Sequence, residues 1–475
     1  MVDTEEFGKQ AHRLVDWMVD YLKNIRSYPV KSQVKPKEII DQLPEGPPED
    51  SEPFELIMAD LDKVIIPGIT HWQHPSFFAY FPANSSPPSV LAEMLTATIA
   101  AQCMNWETSP AAAELEERMI GWLRQMLGLP PEFTGVIQDT ASSATLCSIL
   151  TARERISGFQ VNKRGLFGSS TMAVYCSKET HSSIEKDVKI AGLGSNCLRK
   201  IDVDENFAMI PEALEEGIRS DISNNIKPLC VIATLGTTGS TAIDPIKKIG
   251  QICKEHDLWL HVDAAYAGTA LLLPEMRWMS EGVELADTFV FNPHKWMSTN
   301  FDCSAYFVKD HSLLVRTFEI LPEYLKTAET SQVNNYRDWG IPLGRRFRAL
   351  KLWFVIRTYG VSGLQAMIRN HLKWARELSE EIESHPDFEL LAPVPLNLIC
   401  FRYHPKDVDD PATLDTLNAV LLNELNRSGK MYLTHTKLDG KYTLRFVASQ
   451  TQVKKDDISR AWELIKSTAK RLKLG

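Results

Sequence analysis

The sequence predicts an α/β fold: a mainly parallel sheet with helices on its faces, flanked by a helical N-terminal arm and a small α+β C-terminal domain. Three observations carry this. At 475 residues the chain is too long for one small core. Between residues 85 and 351, short apolar runs alternate with amphipathic stretches of helical spacing, the pattern of a sheet covered on both faces. Beyond 352 that alternation stops, and paired strand-like runs lie between longer helices.

The first 84 residues read as an arm. Leu14, Met18, Tyr21, Leu22 and Ile25 recur at helical spacing. Pro47 and Pro48 among Glu45, Glu49, Asp50 and Glu52 mark an exposed connection, and a second helix is expected over 54–64. So small an arm cannot bury much by itself, so it is expected to pack on another domain or subunit. In the central region, 85–351, strands are expected at 172–177, 230–235, 258–262, 288–291 and 305–308, with helices at 210–222 and 244–256. In the C-terminal region, 352–475, a helix is expected over 364–382, strands over 388–391 and 396–403, and a helix over 413–427. Asp439-Gly440 then signals a hairpin between 432–437 and 442–447, before a final helix from 456 or 457 towards 472. Open α/β sheets bind ligands beyond the carboxyl ends of their strands.

Composition narrows the class. The chain is 44% hydrophobic and 24% charged, an ordinary globular balance, and its net charge of −9 argues against bulk nucleic-acid binding. Its eight cysteines form no C-x-x-C pair, and most lie in apolar runs, which reads as buried thiols in a reducing compartment. The acidic start lacks the pattern of a signal peptide, and the longest uncharged apolar stretch, 94–104, is too short to span a membrane. A cytosolic protein is expected. The glycosylation-type patterns at Asn84 and Asn426 carry no meaning in that setting.

One constellation carries chemistry. Lys295 follows the apolar run Thr288–Phe291, in Pro293-His294-Lys295-Trp296. Alone it reads as a surface lysine. Thirty-two positions earlier, however, the apolar run 258–262 ends in Asp263, followed by small residues. A strand-end amine and a strand-end carboxylate are what pyridoxal phosphate requires: the lysine holds the aldehyde, and the carboxylate keeps the ring nitrogen protonated. Thr140-Ala141-Ser142 opens a helical pattern as a phosphate site would, although a simple N-cap explains it equally well. His181 after the run 172–177, and Thr234-Leu235-Gly236-Thr237-Thr238 after 230–233, are ordinary taken singly. All lie after strands, and together they point to one cleft.

The chain resembles the group II pyridoxal-phosphate-dependent decarboxylases, and within them the aromatic L-amino acid decarboxylases. The resemblance rests on His74-Pro75-Ser76-Phe77-Phe78-Ala79-Tyr80-Phe81-Pro82, Trp106-Glu107-Thr108-Ser109-Pro110, His261-Val262-Asp263-Ala264-Ala265-Tyr266, Phe291-Asn292-Pro293-His294-Lys295-Trp296 and Ile341-Pro342-Leu343-Gly344-Arg345-Arg346-Phe347. It implies the aspartate aminotransferase-like fold type I, with pyridoxal 5'-phosphate as cofactor. It also implies a homodimer with active sites at the interface and arms that embrace the partner. By position, Lys295 would be the Schiff-base lysine, Asp263 the ring-nitrogen partner and His181 the stacking residue. Ala141, Ser142, Asn292 and His294 would hold the phosphate, with Thr238 and Ala265 near the ring. Trp72, Tyr80, Phe81 and Pro82 would wall the substrate pocket, with Met104 lining the neighbouring subunit's pocket. Gly344 matches the small residue that goes with indolic substrates in plant relatives, but animal relatives with glycine accept catechols.

The implied reaction removes the α-carboxylate of an aromatic L-amino acid, giving an arylalkylamine and CO2. Tyr324, on a loop closing over the substrate, is the candidate proton donor to the α-carbon, with His181 coupled to it. The rival is an aromatic acetaldehyde synthase, marked in plant relatives by phenylalanine where this chain has Tyr324. A further alternative is a non-catalytic homologue that binds the cofactor structurally, but no proposed catalytic position is lost.

Overall fold

The computed structural model describes residues 3–320 and 332–473. It divides into two compact units: Ala83–Arg376 with Ala392–Ile399, and Met1–Pro82 with Glu377–Leu391 and Cys400–Gly475. This differs from a three-part division at 84 and 351. The arm shares a unit with the C-terminal segment because its backbone finds partners there: Val30 N–H donates to Gly429 O (2.8 Å), Phe78 N–H to Tyr432 O (3.0 Å) and Val447 N–H to Phe78 O (2.9 Å). Position 351 falls inside the helical stretch Arg348–Ser384, whose one non-helical residue is Gly360 at φ 65°. The helix expected over 364–382 is the part beyond that glycine.

In the larger unit the strands are β1 (Thr134–Gln138), β2 (Met172–Ser177), β3 (Leu198–Ile201), β4 (Lys227–Thr234), β5 (Trp259–Asp263), β6 (Thr288–Phe291) and β7 (Ser304–Val308). They form one sheet in the order β1-β7-β6-β5-β4-β2-β3. Neighbours are parallel except β7, which runs antiparallel to β1 and β6. Helices Pro211–Ser223 and Ile246–Glu255 lie within a residue or two of their expected spans. Every residue of β2, β5, β6 and β7 is buried, which explains their unbroken apolar runs. Val174, Cys176, Ile232 and Trp259 pack against Ile149, Ile184 and Val188 from two covering helices. Strands β1 and β3 were not expected. In β1 the signal is weakened by Gly135, where a Cβ would lie 2.3 Å from the Tyr306 carbonyl oxygen, so close does β7 approach.

The smaller unit carries the hairpin of β10 (Thr434–Leu438) and β11 (Lys441–Val447), in a sheet of order β10-β11-β9-β8 with β8 (Phe388–Leu390) and β9 (Leu398–Tyr403). Asp439 and Gly440 turn the hairpin with φ of 48° and 78°, as the Asp-Gly pair requires. Phe78 stacks on Phe446 with centroids 4.1 Å apart, and Arg26 pairs with the buried Asp457. The first helix, Thr4–Lys23, is capped by Asp3, which accepts from Glu6 N–H at 2.7 Å. None of its residues is buried, and Phe7, Leu14, Val15 and Val19 are exposed. No helix among the described residues is long and apolar enough to cross a membrane.

Candidate active site

Parallel register sets the floor of the site. Thr234, Asp263 and Val290 are aligned across β4, β5 and β6, so β4 and β5 end at one level and β6 runs one residue beyond it. Asp263 is buried, and its Oδ1 accepts from Ala265 N–H at 3.0 Å, which fixes the carboxylate at the strand end. Two residues before it, on the same side of the strand, His261 accepts and donates between the hydroxyls of Thr145 (3.0 Å) and Thr288 (2.9 Å). Burial lowers its pKa to about 4, so it is neutral. The chain continues from Thr288 to Ser148 (2.8 Å) and from Ser148 to the Trp259 indole (2.8 Å). This network ties helix Ala141–Ser157 to β5 and β6.

Past β6 the chain turns through Asn292 into the single helical turn Pro293–Trp296. That turn is held from several sides. Trp296 is fully buried, stacks on Tyr266 at 5.0 Å and donates Nε1–H to His371 Nδ1 at 2.9 Å. Burial pushes His371 down to about 3, which keeps that nitrogen available as an acceptor. Asn84 donates its backbone N–H to His294 O (3.0 Å) and its Nδ2 to Lys295 O (2.8 Å). The Lys295 amine thus projects from a rigid turn. Desolvation lowers its pKa, and the negative charge of Asp263 offsets only part of that effect. A lysine shifted this way is a better nucleophile near neutrality.

The remaining groups surround this pair. His181 Nδ1 accepts from Ser183 N–H at 3.1 Å, so the neutral ring carries its proton on Nε2. Partial burial and the charge of Lys295 lower its pKa, although the ring reaches solvent. Thr140 caps helix Ala141–Ser157 by accepting from Ser143 N–H, and its carbonyl takes the Ala144 amide, leaving the Ala141 and Ser142 amides as first-turn donors. His294 Nδ1 accepts from Cys303 N–H at 3.0 Å, and burial lowers its pKa to about 3, so Nε2–H is a neutral donor. Asn292 Oδ1 accepts from Ser304 at 2.7 Å, which orients its amide.

The other expected residues divide. Ala265 is partly buried just past Asp263, and Thr238 is exposed in the turn after β4. Met104 and Gly344 belong to a second patch of the same unit: Gly344 lies against Gln102, Cys103 N–H donates to Arg345 O, and Met104 O accepts from Arg337 N–H. Trp72, Tyr80, Phe81 and Pro82 lie in the smaller unit. There Trp72 stacks on Tyr80 at 5.8 Å, Tyr80 meets Tyr432 through their hydroxyls at 3.3 Å, and the Arg445 guanidinium covers Phe81. Tyr324 lies outside the described residues. Sequence reasoning missed Asn84 and His261. His261 had a signal in its alternation with Asp263. Asn84 had none, because its partners are remote in sequence.

Residues 36–404 match the model of the pyridoxal-dependent decarboxylase conserved domain. The chain belongs to this family. It is 42% identical to tyrosine decarboxylase 2 of Narcissus pseudonarcissus, covering 100% of this chain and 96% of that protein. It is 41% identical to a phenylacetaldehyde synthase of Arabidopsis thaliana, covering 99% and 97%. A crystal structure of Catharanthus roseus tryptophan decarboxylase in complex with L-tryptophan superposes with a TM-score of 0.94 at 38% identity, covering 99% of each chain. The fold is therefore that of a fold type I enzyme, and the protein is a pyridoxal-phosphate-dependent carboxy-lyase. The donor set fits the cofactor: a desolvated amine beside a fixed carboxylate, two amides at a helix start and a neutral imidazole N–H suited to a phosphate.

Proposed function

We infer that this enzyme decarboxylates aromatic L-amino acids, releasing CO2 and the arylalkylamine. One observation carries the reading: Lys295 and Asp263 stand at the ends of adjacent strands of one sheet, in a chain about as similar to a tyrosine decarboxylase as to other aromatic-amino-acid enzymes. When bound, pyridoxal phosphate supplies the electron sink that accepts the electron pair left by CO2. The chain's residues do the rest. Lys295 Nζ would hold the cofactor's aldehyde. Asp263 would accept from the ring nitrogen and favour its cationic form. His181 would stack on the ring. The Ala141 and Ser142 amides, His294 Nε2–H and the Asn292 amide would hold the phosphate, with Thr238 and Ala265 near the ring. Tyr324 delivers a proton to the substrate α-carbon, and His181 supports that transfer.

Trp72, Tyr80, Phe81, Pro82, Met104 and Gly344 select the aromatic ring. The enzyme works as a homodimer, which supplies cover for the exposed face of helix Thr4–Lys23. The thiols of Cys147, Cys176 and Cys303, each pushed up to about 12 by burial, suit a reducing cytosol. A second reading, acetaldehyde synthesis, draws on the Arabidopsis relative. It consumes O2 and water and yields aldehyde, CO2, ammonia and hydrogen peroxide. The test is to supply tryptophan, 5-hydroxytryptophan, tyrosine, DOPA and phenylalanine under air and to quantify CO2, amine, aldehyde and peroxide. Amine equal to CO2 without peroxide supports decarboxylation. Peroxide equal to CO2 replaces it with the second reading.

A further inference from the structure

Helix Ser183–Ile190 starts two residues after His181 and packs on helix Ala141–Ser157. Its buried side holds Ile184 and Val188, as i and i+4 should. Between them on that side sits Asp187, only 3% exposed. Its Oδ2 is buried without a hydrogen-bond partner. A carboxylate in that position is unfavourable unless it takes up a proton or meets a cation. The titratable groups around it are few. Asp263 at the end of β5 acts on it by charge, Lys186 lies on its own helix, and the charge of Asp187 in turn reaches the Cys147 thiol of helix Ala141–Ser157. Arg153 and Glu154 pair with each other at the far end of the helix, where Arg153 donates to Ala191 O. Glu185 pairs with Lys189 and Lys200 on the exposed side.

We propose that Asp187 is a second carboxylate of the ring-nitrogen site, a positioning residue acting through Asp263, protonated while no ring is bound and ionised when Asp263 pairs with a protonated ring. The inference rests on the reading of Asp263 as the ring-nitrogen partner. Burial first, and then the Asp263 charge, raise the Asp187 pKa to about 7, against a smaller opposing effect of Lys186. A cation accepted by Asp263 cancels the repulsion between the two carboxylates. By linkage, ring binding then expels the Asp187 proton, and affinity rises as pH passes through its range.

The test titrates pyridoxal phosphate into the full chain stripped of cofactor, wild type and Asp187→Asn. Calorimetry is run in two buffers of different ionisation heat, at about pH 6 and about pH 8.5, which bracket the Asp187 range. The wild type should release more protons per cofactor than the variant at the lower pH and the same number at the higher. The ratio of wild-type to variant affinity should rise about fivefold between them. Equal proton release with a flat ratio overturns the proposal. Melting of the cofactor-free proteins checks the titration independently. A carboxyl whose folded pKa is raised loses stability as pH rises from its unfolded value up to the folded one, so the wild type should fall progressively below Asp187→Asn between the ordinary carboxylate range and about pH 7 and stay level above it. Should the Asn variant not fold, Asp187→Ala carries the same expectations. Asp263→Asn separates the two levels. Wild-type affinity and pH profile in that variant overturn the Asp263 reading and this proposal with it. Weakened binding there, with Asp187→Asn indistinguishable from wild type, overturns only the role of Asp187.

Discussion

The turn that carries Lys295 and the helix Thr4–Lys23 stand in opposite relations to the chain around them. Around Lys295, Asn84, Trp296, His371 and Ser304 fix the backbone from several directions, and nearly every neighbour is buried. The N-terminal helix is well capped and amphipathic, yet it buries no residue and leaves Phe7 57% exposed. The first region finds the partners of its backbone within one chain, and the second leaves an apolar face uncovered, which the proposed homodimer would use. Chemistry that depends on sub-ångström placement sits where the fold over-determines the backbone. The proposed assembly would use a surface whose apolar residues remain exposed.

The contrast can be broken at its strongest point first. Lys295→Ala should abolish turnover, because Lys178 and Lys186 lie on exposed elements and no other lysine emerges from this turn. Measurable CO2 release at near-normal rate would reassign the amine. Asp263→Asn keeps the shape of the strand end and removes the charge. Its rate should fall by roughly 10²-fold, the scale of one preorganised electrostatic group, as read by single-turnover kinetics. Tyr324→Phe should change the product more than the rate. With the proposed proton donor to the α-carbon lost, amine should give way to aldehyde, ammonia and peroxide under air but not without oxygen. Wild-type amine yield with no peroxide would pass the proton transfer to His181 or water.

The other half of the comparison is tested by charging the uncovered helix face. Val15→Glu with Val19→Glu should weaken self-association by about tenfold or more, roughly 1.4 kcal/mol, measured by sedimentation. An unchanged association constant would mean that the face is not an interface. The smallest effect is expected for Trp296→Phe. It keeps the stacking on Tyr266 but leaves His371 Nδ1 buried without its donor, costing about 1–3 kcal/mol of stability. A denaturant titration would detect it, and an unchanged midpoint would show that this bond does not hold the turn.

Much of this protein was legible in the sequence because its information is local. Strands buried on both faces need unbroken apolar runs, so β2 and β6 were readable to the residue, and β4, β5 and β7 nearly so. The Asp439-Gly440 turn needs positive φ, which those two residues supply cheaply. The placement of Asp263 at the end of β5 and of Lys295 just past β6 was legible because each follows an unbroken apolar run. Tertiary structure decided what depends on remote partners. Register, not spacing, levels Thr234, Asp263 and Val290. Asn84 reaches Lys295 across 211 positions, and the arm joins the C-terminal segment through backbone bonds that no side-chain pattern announces. Asp187 looks like any polar helix residue in the sequence. Only the packing of one helix on another, which removes its water and leaves the charge of Asp263 as its neighbour, makes it exceptional.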